Sequence, residues 1–224
     1  MAGDALTPLV LTLKVAVLAT LLAAFAGVAC ARALGRRRSF ARDVGESLLT
    51  LPLVLPPTVL GYYLLVLLGR RGPIGAWLDA HFGVRLIFTW QGAVLAAAIA
   101  AFPLILRASR AAFLAVDAEL ENAARTLGLG EGAVFLRVTL PLAWRGVLAG
   151  ALLAFARALG EFGATLMVAG NLPGRTQTLS LAIYDAVMAG DDARAETLVL
   201  VSLGVAIVVL VLAARLLQGN ARAA

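Results

Sequence analysis

"AVDAELENAARTLGLGEGAVFLRVTLPLAWRG", residues 115–146, decides how this chain is to be read. It lies between two apolar runs, yet it is too organised to be a linker. Asp117 opens it as an acceptable N-cap, and Glu119 and Glu121 fall in the first turn, where carboxylates favour the positive end of a helix dipole. Leu120, Ala123, Ala124 and Leu127 recur at helical spacing and give a short helix one apolar face. Gly128 and Gly130 stop it. A second amphipathic stretch, Ala133 to Val138, leads through Leu140 and Pro141 back into apolar sequence. Helices that lie on a membrane surface prefer Lys and Arg on their polar face, whereas this one begins acidic. Its apolar face is therefore expected to fit a groove in another protein.

On both sides of this segment the chain is written for lipid. Of its 224 residues 62% are hydrophobic, only 14% are charged, and mean hydropathy is +0.94. Soluble domains average about 25% charged residues. The apolar runs approach or exceed the roughly 20 residues that carry a helix across a bilayer. Five spans are expected, at 9–31, 46–69, 88–107, 146–170 and 196–217, forming one all-α membrane domain over residues 1–224. The first run has no charged leader or cleavage pattern before it and is expected to be a retained helix.

Arginines give the bundle a direction. Twelve fall on one side: Arg32, Arg36, Arg37, Arg38 and Arg42 in the first connection, Arg107, Arg110, Arg125, Arg137 and Arg145 in the connection 107–145, and Arg215 and Arg222 in the tail. Five fall on the other, namely Arg70, Arg71, Arg85, Arg175 and Arg194. The positive-inside rule makes the first side cytoplasmic, with the N-terminus outside and the C-terminus inside. Trp77, Trp90 and Trp144 sit at or just beyond span ends, where amphipathic rings favour headgroups. The net charge of +6 follows this topology, which leaves nucleic acid a weak reading.

Two spans carry breakers. Pro52, Pro56, Pro57 and Gly61 interrupt the second, which should be bent or broken, and Pro103 stands near the end of the third. Freed backbone groups at membrane depth need protein or a water-lined cavity around them, so Pro56 and Pro57 are candidates for a pathway or gate. The fourth span, "FARALGEFGATLMVAGN" at residues 155–171, keeps two charges, Arg157 and Glu161, four residues apart and expected on one helix face. Mutual neutralisation offsets part of a cost of roughly 2.5–3.5 kcal/mol per central charge. The pair is either a compensated polar patch that fixes helix register, or a gate element that lines the path or links two subunits. Gly160, Gly163 and Ala164 beside it let another backbone approach closely. Gly163 and Thr165 offer neutral contact to a passing anion, which a fixed carboxylate does not. In the outer connection, Leu179, Ile183 and Ala186 predict a short interfacial helix, with Asp185, Asp191 and Asp192 facing solvent.

Other chemistry is sparse. A lone cysteine, Cys30, excludes an intrachain disulfide or a cysteine-built metal site, and the single histidine, His81, reads as a solvated loop residue. The single lysine, Lys14, has no glycine-rich phosphate loop before it, so no nucleotide site is expected. Energy for active transport would have to arrive through a partner.

"ENAARTLGLGEGAVFLRVTLP", residues 121–141, resembles the EAA loop of permease subunits of ABC-type importers, in Ala123, Ala124, Gly128, Val138, Leu140 and Pro141. It departs from the pattern where Asn122 stands in place of the common glutamate, with Glu121 one position earlier. "AGNLPGRTQTL", residues 169–179, and the proline-rich second span are similar to the molybdate and tungstate permeases of that family, with sulfate permeases the nearest relatives. The resemblance runs from about residue 7 to 217. It implies a bacterial inner-membrane permease for molybdate that works as a homodimer. It also implies a pair of ATP-binding subunits, which would hold ATP and magnesium while this chain binds no cofactor, and a periplasmic or lipid-tethered binding protein. The EAA loop would be the coupling helix, with Glu121, Ala123, Ala124, Leu127, Gly128, Leu140 and Pro141 as contacts to the ATPase. Tungstate or sulfate as cargo, an ATP-independent secondary transporter, and a membrane scaffold are the alternatives.

Overall fold

The computed structural model describes residues 2–36 and 39–218, and all the regular structure it describes is helical. Three long helices form the centre: α1 (Ala2–Leu34), α5 (Trp90–Ala115) and α8 (Leu140–Leu159). Alanines make this packing close. Ala16, Ala19 and Ala23 of α1 meet Ala93, Ala97 and Ala101 of α5 and Ala154 and Ala158 of α8 in one buried cluster. In lipid there is little hydrophobic gain between helices, so small residues that bring backbones together supply the dispersion contacts instead. Gly146 and Gly150 of α8 lie against Ala112 and Ala108 of α5, an antiparallel register, whereas Gly27 of α1 against Ile105 and Lys14 over the Trp90 ring set α1 parallel to α5. Lys14 is thereby accommodated, its ammonium 3.5 Å from the indole centroid.

A Cβ built on Gly150 would stand 2.6 Å from the Cβ of Ala108. Gly150→Val is therefore expected to cost about 1–3 kcal/mol by overpacking. Thermal unfolding of the purified chain should show this beside Leu153→Val, at an exposed position of the same helix, which should leave stability unchanged.

Among the described residues four single helices are long and apolar enough to cross a membrane, and counting one bent pair as a single span gives five. The pair is the second expected span. Helix α2 (Phe40–Thr50) runs through a tight turn at Leu51–Leu53 and stops, and α3 (Pro57–Leu68) departs at 105° to it. Pro56 precedes α3 and Pro57 occupies its first turn, where a missing N–H costs nothing. The expected break is present, and the helix begins six residues earlier than the expected start at 46.

Other boundaries differ for identifiable reasons. The third span was expected to end at 107, but α5 continues to Ala115 and buries Ser109 and Phe113 against the bundle end. The connection 107–145 is thus mostly helix. Beyond α6 (Ala118–Thr126), the segments α7 (Glu131–Val134), a π-helical turn (Phe135–Thr139) and α8 form one 29-residue helix. The π turn lies just before Pro141, whose ring would clash with the carbonyl one turn back in a regular helix, and the wider turn makes room for it. The fourth span, expected unbroken over 146–170, ends its long helix at Leu159 and resumes as α9 (Gly163–Ala169). Residues 73–82, expected as loop, form α4 (Pro73–Phe82), and His81 lies in its last turn rather than in a loop, its ring stacked on Trp77 at 5.0 Å. The expected interfacial helix is α10 (Leu179–Met188), which packs Leu179, Ala182 and Ala186 against Ala195 and Leu198 of α11 (Asp192–Gln218) and Leu9 of α1.

Candidate functional site

Two regions gather the residues singled out by the sequence. At the arginine-rich end, α6 stands clear of the bundle and is clamped to it from one side. Asp117 caps it by accepting the Glu119 N–H. Glu121 turns inward and is buried: Oε1 accepts the Thr139 hydroxyl at 2.7 Å, and Oε2 lies 3.3 Å from Arg36 Nε and 3.7 Å from Arg125. Arg36 also donates to the carbonyls of Phe113 and Val116, at the end of α5. One carboxylate thus ties α6 to the ends of α1 and α5 and to the π turn.

Arg125 reaches forward to Glu131 with a two-pronged bond at 2.7 and 3.2 Å and back to the Asn122 side-chain oxygen at 2.8 Å. The hydrogen bond between them raises the Arg125 guanidinium above its ordinary value and holds the Glu131 carboxyl below the usual carboxylate range. Asn122, at the position of the expected glutamate, braces the clasp.

The apolar face expected on α6 is divided. Ala124 faces inward with Glu121, while Leu120, Ala123 and Leu127 are exposed, Leu127 at 83%. Glu121 was expected among the outward contacts and is instead internal, where Arg36 and Thr139 supply the partners that a buried carboxylate requires. Gly128 turns the chain at φ +85°, with open space around it. A side chain there meets no clash but costs about 1–2 kcal/mol in backbone conformation. Leu140 packs half-buried with Phe113 and Ala143, and Pro141 is exposed. Arg36 and Thr139 were missed. Arg36 read as a topology charge, and nothing in the local pattern marked Thr139.

The second region lies where two helices start inside the bundle. α3 and α9 run parallel: Gly163 sits against Pro57, its Cβ position 2.8 Å from the proline Cβ, and Gly61 sits against Ala164 and Met167. Arg157 and Glu161 do meet, Nη1 to Oε2 at 2.5 Å, but not along one helix, since Glu161 lies past the end of α8. It is 3% exposed and accepts the backbone N–H of Ala164 at 2.9 Å. Its carboxylate therefore serves α9 as a cap and Arg157 as a counter-ion, and both roles suit a negative group at a helix start. Thr165 was weighed as a contact facing a path and is buried in α9 at 1% exposure. Gly163 meets Pro57 and Glu161 caps the same helix start, whereas Thr165 is buried within α9.

Beyond α9 the loop is tied down by its own side chains. Gln177 donates to Asn171 and Asp185, and Asn171 donates to Asp185, so Asp185, expected in solvent, is half-buried and bonded. Asp191 remains exposed and caps α11 through the Arg194 N–H, as a free carboxylate at a helix start should. Among the described residues no three His, Cys, Asp or Glu side chains are grouped to hold a metal.

A multi-crossing helical bundle, two broken spans and a clamped helix held outside them give the chain the architecture of a multi-span membrane subunit. The fold is shared with the MetNI methionine ABC transporter in its inward-facing form, at TM-score 0.74 and 15% identity over 98% of this chain and 97% of that one. It is shared also with a bacterial ABC transporter involved in import of the acidic polysaccharide alginate, at TM-score 0.76 and 15% identity over 95% and 78%. The chain belongs to the family of binding-protein-dependent transport system inner membrane components, whose pattern matches residues 7–222. It is 47% identical over 203 residues to the molybdenum transport system permease protein ModB of Escherichia coli K12, covering 90% of this chain and 89% of that protein. To the ModB of Mycobacterium tuberculosis it is 42% identical over 93% and 79%. To the sulfate transport system permease protein CysW of Synechococcus elongatus it is 35% identical over 92% and 72%.

Proposed function

We propose that this chain is the permease subunit of an ATP-driven molybdate importer. Two copies would form the path, a pair of ATP-binding subunits would hold ATP and magnesium, and a binding protein would deliver the oxyanion from outside. The observation that carries the coupling role is the exposed stripe of Leu120, Ala123 and Leu127 on a helix clamped to the bundle through buried Glu121. A rigid apolar ridge outside lipid suits a groove on a partner, and its clamp passes a push on α6 to α1, α5 and α8. Closure of the ATPase pair would draw two such helices together and open the path outward; hydrolysis would reset it. Arg157, Glu161, Gly163, Pro56 and Pro57 form the hinge at which the broken spans pivot. Molybdate is favoured over sulfate because the relatives named for molybdenum transport exceed the sulfate relative in identity. Tungstate, of nearly the same size and charge, is expected to compete for the same path.

The arginine-rich end would face the cytoplasm. In a Cys30→Ser background, an impermeant thiol reagent added to intact cells is expected to label Arg175→Cys and spare Ser39→Cys; the reverse pattern would overturn the orientation. Vesicles holding this chain, its ATPase and its binding protein should accumulate labelled molybdate only with ATP, with tungstate competing and sulfate not. Flux without ATP would establish a secondary transporter. No flux from an assembled complex would establish a scaffold.

A further inference from the structure

At the arginine-rich end a cavity of about 310 Å³ opens between the ends of α1 and α5 and the clamped α6. Arg32, Arg36, Arg110 and Arg125 line it, together with Glu121, ion-paired with Arg36 and Arg125, and Glu131, paired with Arg125. A neighbouring cavity shares Arg36 and Arg110 and adds Arg107, Asp43 and Glu46, the last paired with Arg110. Among the described residues that line the two, there are five arginines and four carboxylates, an excess of one positive charge. Arg110, common to the two, keeps a buried Nε with no hydrogen-bond partner among the described residues.

The polar cavity does not end in protein. Arg32 lies over the Phe135 ring at 4.5 Å, and both residues also line a groove of about 740 Å³ between α1 and α8. Its remaining wall is apolar, with Phe25, Val28, Ala29, Leu136 and Leu140, and Phe25 is 81% exposed. The register of α8 on α5, with Gly146 beside Ala112, places exposed Trp144 at the level of the arginine cavity. A tryptophan at a span end marks the headgroup layer. A basic cavity at headgroup depth thus opens onto an apolar trough running toward the bilayer centre.

We infer that this is a binding site for one anionic phospholipid, its phosphodiester among Arg32, Arg36 and Arg110 and an acyl chain in the α1–α8 groove. The single excess charge matches a phosphodiester without a compensating amine, and basic pockets between membrane helices hold such headgroups. The lipid would wedge between α1 and the helix that leads from the clamp, and so stiffen the joint through which α6 is held. The inference does not depend on which oxyanion is transported.

The full-length chain, purified in detergent and stripped of lipid, should be titrated with phosphatidylglycerol and with phosphatidylcholine and read by native mass spectrometry. One phosphatidylglycerol per chain should be retained in preference to phosphatidylcholine. Arg32→Gln should weaken retention about fivefold by removing one cation. Arg32→Lys should restore most of it, and Ala29→Trp should weaken it by filling the groove. Millimolar inorganic phosphate should not displace the lipid. Equal retention of phosphatidylcholine would overturn the inference. So would displacement by phosphate with Ala29→Trp silent, which would make this a site for free anions. Crosslinking of Ala29→Cys to a second copy would show that protein covers the groove, with the same consequence. Any of these leaves ATP-driven uptake, measured separately, as the test of the transport reading.

Discussion

Replacing Arg157 with alanine is expected to destabilise the chain by about 3–5 kcal/mol, more than replacing its partner Glu161. The asymmetry follows from burial. The Glu161 side chain is 1% exposed and that of Arg157 32%, so loss of the arginine strands a carboxylate that water cannot reach. Loss of the glutamate leaves an arginine that can turn outward, together with an uncapped α9, whose cap is worth about 1 kcal/mol. Thermal unfolding in detergent should rank Arg157→Ala below Glu161→Ala. The double variant should recover part of the loss, because the stranded charge is gone. If the double variant is as unstable as the sum of the singles, the two side chains are not acting on one another. Uptake should fall in all three, since the pair holds the joint between α8 and α9 where α3 begins.

Leu127→Asp is expected to abolish ATP-driven uptake while leaving thermal stability unchanged. Leu127 touches little of its own chain, so the fold loses nothing by the substitution. If it fills a pocket on the ATPase subunit, a buried charge there costs at least about 2 kcal/mol, roughly thirtyfold in affinity. Co-purification of the ATPase and coupled hydrolysis should fall together. Glu121→Gln supplies the contrast: it keeps an acceptor for Thr139 and weakens the bond to Arg36, so the ATPase should still bind while hydrolysis drives less uptake. Normal uptake by Leu127→Asp would remove α6 as the docking element.

The pattern around α6 shows how far local reading reaches. Asp117 as cap, the acidic first turn and the stop at Gly128 are interactions within a few residues, and all are present. Which face of that helix turns outward is not local. Glu121 is drawn inward by Thr139, eighteen residues on, and by Arg36 from the end of α1. The periodicity of Leu120, Ala123, Ala124 and Leu127 holds no record of either. The same limit governs the fourth span: Arg157 and Glu161 at a spacing of four read as one helix face, whereas close contact of Gly163 with Pro57 coincides with a broken helix and a carboxylate used as a cap.

By itself the sequence determined the helical membrane class, the break at Pro56 and Pro57, and the presence of a short helix outside the spans. Apolar run length, proline chemistry and caps act on neighbours along the chain. Only the tertiary structure decided where the fourth span breaks, which side of α6 is offered to a partner, and that arginines far apart in sequence surround one cavity. A buried charge takes its partner from whatever is nearest in space, and close packing of small residues sets that proximity.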